Sequence, residues 1–172
     1  MSAKMPSAYL AGPDVFFPDP RKRGEEMKQI LLTHGILGHF PLDNEIPREL
    51  TGAKAAHAIF LANVRLLDES DLVLANITPF RSPSLDPGTA WEIGYAYAKG
   101  IPIICYGSSG TYLERCQKLG LEGESAGLDG DGLFVEDFGE VENLMISRCA
   151  DLIVGTFEDA AAAALKLLAS RS

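Results

Sequence analysis

The sequence predicts an α/β fold in which a doubly wound parallel sheet of four to five strands carries helices on both faces. Short apolar runs recur along the 172-residue chain, and segments with helical spacing of apolar residues separate them. The run Asp71–Ile77 is almost continuously apolar, which is typical of a strand buried on both faces of a parallel sheet. Strands that alternate with helices in this way indicate parallel strands joined by crossover helices.

The first half of the chain contains three predicted strands and two predicted helices. Gly35 closes the first helix and Pro41 stops the second strand, since these residue types end regular elements. The second helix has its apolar positions at Ile59, Val64, Leu66 and Leu67. In order, the elements are strand Ser7–Gly12, helix Asp19–His34, strand Ile36–Phe40, helix Thr51–Glu69 and strand Asp71–Ile77.

The second half begins with a proline-rich loop, and its pattern weakens towards the end. Gly100 stands where a C-terminal glycine of a helix is favoured. The predicted elements are loop Thr78–Leu85, helix Pro87–Lys99, strand Ile101–Tyr106, a mobile loop Ser108–Asp131 around a short helix Tyr112–Leu119, a possible fifth strand Leu133–Val135, and closing helices Glu140–Val154 and Glu158–Ala169. Together they predict a single flavodoxin-like domain over residues 1–172.

The composition excludes several classes of function. Fifteen Lys and Arg against 24 Asp and Glu give a net charge of −9, which disfavours binding to nucleic acid polymers and to anionic membranes. No apolar run approaches the roughly 20 residues of a membrane span, and the N-terminus lacks the apolar core of a secretory signal. Cys105, Cys116 and Cys149 are odd in number and widely spaced, which favours a reducing cytoplasm and argues against a zinc cluster. We expect no metal and no cofactor.

The segment Asp86-Pro-Gly-Thr-Ala-Trp-Glu92 is the first candidate for chemistry. Asp86 and Pro87 suit the N-cap and first position of a helix. Glu92 shares a helix face with Gly88, which costs roughly 1 kcal/mol of helix propensity relative to Ala and leaves space beside a carboxylate. The alternative to a catalytic role is that Glu92 is simply a Glu in an early turn of the helix, where the helix macrodipole stabilises a negative charge. A carboxylate within an otherwise apolar helix weakens that alternative.

The second candidate is Tyr9-Leu-Ala-Gly-Pro-Asp14, at the end of the first predicted strand. Gly12 and Pro13 allow a tight turn that brings the backbone close to a ligand, although a turn beside a core Tyr is equally compatible with the pattern. Phe16 and Phe17 follow in the loop, where aromatic side chains either pack as a lid or stack on a base. The segment has neither the glycine pattern of a dinucleotide loop nor that of a P-loop.

Several segments, spread in order over most of the chain, resemble those of the nucleoside 2-deoxyribosyltransferase family. They are Tyr9-Leu-Ala-Gly-Pro13, Pro41-Leu-Asp-Asn-Glu45, Asn63 eight residues before Asp71, Ala75-Asn-Ile-Thr-Pro-Phe-Arg81, Asp86-x-Gly-Thr-x-x-Glu-Ile-Gly-Tyr-Ala96 and Glu142-Asn-Leu-Met145. The Asp-x-Gly-Thr-x-x-Glu element is fairly specific in this context, and the ensemble is much stronger than any single segment.

The resemblance implies a role for each matching residue. Glu92 matches the nucleophile that attacks C1′ of a 2′-deoxynucleoside, and Tyr9 is similar to the Tyr that holds it. Asp86 matches the Asp that binds the sugar 5′-hydroxyl. Asn143 matches an Asn lent by a neighbouring subunit, which implies a homo-oligomer. Further substrate-binding residues are then expected at Asp14, Phe16, Phe17, Glu45, Asn63, Gly88 and Met145.

The sequence departs from this family at Asn63, where an Asp linked to base protonation is often found. Because an amide cannot act as an acid, water, Asp14 or Glu45 would have to protonate the leaving base, or the base departs with less help.

Three functions stay open at this stage. The first is transfer of 2-deoxyribose between nucleobases through a covalent glutamyl intermediate, with retention. The second is an N-glycosidase that hydrolyses 2′-deoxynucleosides or their 5′-monophosphates, and the third is a non-catalytic nucleotide-binding module. In the related monophosphate glycosidases a Ser usually stands at the position of Asp86, because a carboxylate repels phosphate. The expected partners are deoxynucleosides and free nucleobases.

Overall fold

Five parallel strands form one sheet in the computed structural model, which describes residues 4–121 and 127–171. The strand order is β2-β1-β3-β4-β5, the order of a flavodoxin-like doubly wound sheet. The strands are β1 (Ser7–Ala11), β2 (Leu37–His39), β3 (Leu72–Asn76), β4 (Ile103–Tyr106) and β5 (Leu152–Val154). The predicted fold class is confirmed.

Six α-helices accompany these strands in the described part of the chain, together with 3₁₀ turns at Pro13–Phe16 and Pro41–Asp43. The helices are α1 (Pro20–Thr33), α2 (Gly52–Asp68), α3 (Pro87–Lys99), α4 (Tyr112–Lys118), α5 (Leu144–Ser147) and α6 (Phe157–Arg171). None of the helices described is both long and apolar enough to cross a bilayer.

The core lies in two layers because successive side chains of a strand point to opposite faces of the sheet. Ala8 and Leu10 of β1 pack with residues of α1 and α6, whereas Tyr9 and Ala11 pack with residues of α2 and α3. All five residues of β1 and all five of β3 are buried. The strand order reverses direction between β1 and β3, and the carboxyl ends of such neighbouring strands are where doubly wound folds bind ligands.

The prediction for the end of the chain was wrong in two places. Leu133–Val135 does not join the sheet, and only an isolated bridge links Phe134 to Leu128. The fifth strand is β5, inside the segment predicted as helix Glu140–Val154, of which Leu144–Ser147 alone is helical. The β-branched pair Ile153 and Val154, between Asp151 and Gly155, is typical of a strand, but the prediction of a helix over the whole segment did not take this pair into account.

Two further expectations concern α2 and the long loop. Of the four apolar positions named for the second helix, Ile59 is 45% exposed, whereas Leu67 is fully buried. The short helix within Ser108–Asp131 is present as α4. The predicted mobility of that loop falls partly on residues 122–126, which lie outside the described residues.

Candidate active site

A hydrogen bond between Tyr9 and Glu92 joins the sheet to α3. Tyr9 lies in the middle of β1 with no exposed surface, on the face that packs against α3. Glu92 lies in the second turn of α3, one residue before the buried Ile93 that anchors the helix to the sheet. The Tyr9 hydroxyl donates to Oε1 of Glu92 at 2.5 Å. The core therefore holds the phenol rigidly, and the phenol orients the carboxylate.

Burial raises the pKa of Glu92 to about 7. The hydrogen bond from Tyr9 opposes this rise, because it favours the carboxylate, while the charge of Asp86 adds to it. Burial also raises the pKa of the Tyr9 phenol far above its ordinary value, and the neighbouring carboxylate adds to that effect. Tyr9 therefore keeps its proton and acts as a donor, and Glu92 changes its charge near neutral pH.

The start of α3 has the predicted capping geometry. Oδ2 of Asp86 accepts a hydrogen bond from the backbone N–H of Thr89 at 3.0 Å, and Pro87 is the first helical residue. A Cβ on Gly88 would lie 2.9 Å from that same Asp86 oxygen. A side chain at position 88 would thus displace Asp86, and its absence leaves room beside Glu92.

A surface cavity of about 370 Å³ opens beside this helix start, and its lining residues are Phe60, Asn63, Gly88, Trp91 and Glu92. The volume is within the range of about 300–1,000 Å³ typical of small-molecule sites. Residues 60 and 63 come from α2 and the other three from α3, so the cavity is a cleft between two helices on one face of the sheet. Glu92, Gly88 and Asn63, three of the residues predicted from the sequence, meet there.

A second cavity, of about 570 Å³, adjoins the first through a pair of amides. Asn44 lines it together with Glu45 and Arg48, and Nδ2 of Asn44 donates to Oδ1 of Asn63 at 3.0 Å. This cavity is the larger of the two, but its lining residues do not include Glu92. Glu45 therefore lines this second cavity and is not among the residues that line the cavity at Glu92.

Asp14 is closed off from solvent, with 2% of its surface exposed. Oδ1 accepts from Nε of Arg23 at 2.9 Å, and Oδ2 accepts from Nδ2 of Asn76 at 2.7 Å. These bonds tie the loop after β1 to α1 and to the end of β3. Both carboxylate oxygens already have partners, so a contact between Asp14 and substrate stays a prediction.

Phe16 and Phe17 stand at the surface, each at least half exposed. The ring of Phe16 stacks on that of Phe80, with centroids 5.2 Å apart, and the guanidinium of Arg81 lies over both rings. Arg81 has a φ of 58°, an unusual value for a residue other than glycine. Neither Phe16 nor Phe17 is among the residues that line the cavity at Glu92.

Asn143 and Met145 lie at the start of α5. Oδ1 of Asn143 accepts from the backbone N–H of Met145 at 3.0 Å, and its Nδ2 donates to Oε2 of Glu136 at 2.8 Å. Met145 is 66% exposed. Asn143 does not line the cavity beside Glu92 of its own chain.

Two residues that line the cavity beside Glu92, Phe60 and Trp91, were not among the site residues predicted from the sequence. Their signal was present: each is a large aromatic residue outside the buried stripe of its helix, and Trp91 directly precedes Glu92. Within residues 4–121 and 127–171, no group of three His, Cys, Asp or Glu side chains is placed to hold a metal ion. What the cavity offers is a carboxyl that titrates near neutral pH, a fixed phenol donor and aromatic surface.

Comparison with known proteins gives consistent results over nearly the whole chain. The family model for nucleoside 2-deoxyribosyltransferases matches residues 8–145. A 2-deoxyribosyltransferase from Leishmania mexicana is 31% identical, with a TM-score of 0.73, and the match covers 94% of this chain and 97% of that one. An uncharacterized protein of Schizosaccharomyces pombe is 31% identical over 159 residues, which cover 83% of this chain and 75% of that protein.

A 2-deoxyribosyltransferase from Bacillus psychrosaccharolyticus shares the fold at 20% identity, with a TM-score of 0.62, and 94% of this chain and 95% of that one are covered. At that identity the similarity supports the fold alone.

Proposed function

Because the chain belongs to the nucleoside 2-deoxyribosyltransferase family, we propose that it transfers 2-deoxyribose between nucleobases through a covalent ester on Glu92. The observation that carries this proposal is the Glu92 carboxyl, which opens on a cavity, is held at 2.5 Å by the Tyr9 hydroxyl and has its pKa raised to about 7. A carboxylate held in place beside an anomeric carbon can stabilise its positive charge and then bond to it.

The first half of the reaction forms the ester. A carboxylate oxygen of Glu92 attacks C1′, the C1′–N bond breaks, and the base leaves with the bonding electron pair and takes up a proton from water. Asn63 faces the cavity as an amide, so its contribution is hydrogen bonding to the base rather than proton donation.

The second half reverses these steps with another base. A ring nitrogen of the incoming base attacks C1′, the bond from C1′ to the Glu92 oxygen breaks, and the base loses a proton to water. Two inversions at the same carbon give net retention. Tyr9 stabilises the carboxylate both before the attack and after its release, because its hydroxyl donates to the ionised form.

Asp86 favours substrates with a free 5′-hydroxyl. Its carboxylate lies at the N-terminus of α3 beside Gly88, where it can accept a hydrogen bond from a hydroxyl but would repel a 5′-phosphate. The same charge argues against a preference for deoxynucleoside monophosphates.

The test is incubation of deoxyinosine with the protein, with and without free adenine. We expect deoxyadenosine when adenine is present, and a slower reaction for deoxyinosine 5′-monophosphate. Intact-protein mass spectrometry should detect one added deoxyribose on the wild type and none on Glu92→Ala. Free deoxyribose formed at the same rate with and without adenine would instead support hydrolysis, and binding without turnover would support a sensor.

We also propose that Asn143 completes the site of a second copy. Support comes from its absence from the lining of its own Glu92 cavity and from two exposed apolar side chains close to it, Phe138 at 68%, which shares a cavity with Leu144, and Met145 at 66%. Mixing Glu92→Ala with Asn143→Ala subunits should restore activity, since hybrid oligomers would contain an intact site. Two inactive variants that stay inactive when mixed and co-refolded would contradict this arrangement.

A further inference from the structure

Two aromatic side chains, Phe60 and Trp91, form part of the wall of the cavity beside Glu92. Phe60 and Trp91 meet edge to face there, with ring centroids 5.3 Å apart and an interplanar angle of 62°. They are 47% and 45% exposed, although aromatic rings of this size contribute most to stability when buried. The fold thus places two large rings, one from α2 and one from α3, at the wall of a cavity that contains a reactive carboxyl.

Trp91 is held in place by a chain of contacts that extends away from the cavity. Its indole stacks on the ring of Tyr95 at 5.2 Å and 19°. The Tyr95 hydroxyl donates to Oδ1 of Asp68 at 2.9 Å, and Nζ of Lys99 pairs with the same oxygen at 2.9 Å. The indole orientation is therefore set before any ligand arrives, which lowers the entropic cost of binding a flat ring.

A polar group at the same wall complements these rings. Oδ1 of Asn63 accepts from Asn44, so its Nδ2 is the group that it can offer to a bound molecule. A planar heteroaromatic ring presents both a π face for stacking and an edge of nitrogen and oxygen acceptors. Nucleobases have this combination, and any of them can stack on an aromatic side chain.

We propose that Trp91, backed by Tyr95 and flanked by Phe60, is the surface on which the nucleobase stacks while Asn63 donates to its edge. This inference rests on the proposed function and adds the residues that recognise the base. Since the base is bonded directly to the carbon that Glu92 attacks, its ring must lie within one ring width of that carboxyl. Trp91 adjoins Glu92 in the chain and lines the same cavity. The leaving base and the acceptor base would use the same surface in turn.

The chain contains one tryptophan, so Trp91 reports on its own surroundings. In Glu92→Gln, which blocks turnover, titration with adenine should quench the indole emission as the ring stacks. Free 2-deoxyribose, which lacks a base, should leave the emission unchanged. Equal quenching by deoxyribose, or no change at adenine concentrations that saturate exchange in the wild type, would overturn the proposal.

The matching kinetic test compares Trp91→Ala, Trp91→Phe and the control Tyr97→Ala. Tyr97 is on the same helix and 63% exposed but does not line the cavity. We expect Trp91→Ala to raise KM for adenine about 10- to 100-fold with kcat within a few-fold, and Trp91→Phe to restore most of the affinity. Tyr97→Ala should behave as the wild type. An unchanged KM in Trp91→Ala, or an equal loss in Tyr97→Ala, would contradict the assignment.

The two proposals fail separately. Adenine quenching without any base exchange would retain the stacking surface and reject the transferase assignment. Base exchange with an emission that adenine does not alter would reject the stacking surface and leave the transferase assignment intact. An emission that shifts only with protein concentration would show that a second copy covers Trp91, which also overturns the stacking proposal.

Discussion

Glu92 and Glu142 both hold a carboxylate below the surface, but their surroundings differ sharply. Glu142 has no exposed surface, and its two oxygens accept four hydrogen bonds. The donors are Ser84 Oγ, Leu85 N, Asn143 N and Nη2 of Arg115. Glu92 faces a cavity, and the donor to its carboxylate in the described part of the chain is Tyr9.

One fold thus uses the same residue type for two purposes. Each hydrogen bond to Glu142 stabilises its negative charge, and Arg115 also donates to the carbonyl oxygens of Pro83 and Val141. This cluster fixes the loop before α3 and hence the position of Asp86. Glu92 lines the cavity and has a pKa near 7, which suits it to react rather than to hold structure.

The largest effect is expected for Glu92→Ala. Loss of the nucleophile should lower the rate of base exchange about 10³- to 10⁵-fold, since removal of such a group eliminates the covalent route. Thermal unfolding should change little, because the side chain faces a cavity and is not a packing element. A variant that exchanges bases at the wild-type rate would remove Glu92 from the mechanism.

For Glu142→Ala we expect a loss of stability of about 3–5 kcal/mol in urea unfolding, because the change leaves the buried Arg115 guanidinium without its counter-charge. The paired change Arg115→Met with Glu142→Leu should lose less, since it removes both charges together. A Glu142→Ala protein as stable as the wild type would show that this cluster contributes nothing to the fold.

Tyr9→Phe should lower the rate about 10- to 100-fold at neutral pH. The Tyr9 hydroxyl lowers the pKa of Glu92, so its removal raises that pKa further above 7 and leaves more of the carboxyl protonated. The pH profile of kcat/KM should therefore have its acid limb near pH 7 in the wild type and at higher pH in Tyr9→Phe. An acid limb at the same pH in both proteins would argue against this coupling.

The smallest effect is a gain in stability from Glu92→Gln at alkaline pH. Folding raises the pKa of Glu92 from 4.5 to about 7, so ionisation opposes folding increasingly between these values and fully above pH 7. At pH 8 we expect Glu92→Gln to be about 1–2 kcal/mol more stable, because the carboxyl is only partly buried and solvent screens part of the cost. The gain should vanish below pH 4.5. Equal gains at pH 4 and pH 8 would assign the effect to packing.

Local signals in the sequence were sufficient for much of the site. Asp86 and Pro87 define the start of α3 because N-capping depends only on adjacent residues, and the predicted bounds Pro87–Lys99 match the structure. The spacing of Gly88 and Glu92 likewise placed both on one helix face, and both line the cavity. Resemblance to the family added the role of Tyr9 as the partner of Glu92, a residue 83 positions further along the chain.

Other features depended on contacts between distant segments. Leu152–Val154 forms a strand because it pairs with β4, although the local pattern favoured a helix. Likewise, the order of residues in the chain does not predict that Phe60 of α2 contacts Trp91 of α3. It also does not predict that Arg23 and Asn76 donate hydrogen bonds to the two carboxylate oxygens of Asp14. These outcomes follow from how the helices pack on the sheet.

Local sequence patterns specify the alternation of buried strands and helices, the capped start of α3 and the carboxylate that α3 carries. These depend on side-chain periodicity and on neighbours within one or two turns. Which carboxylates are saturated with donors, and which one lines a cavity, depends on the packing of the helices on the sheet, because burial and hydrogen-bond partners come from segments far apart in the chain. That distribution of burial sets the pKa of Glu92 and leaves Trp91 45% exposed.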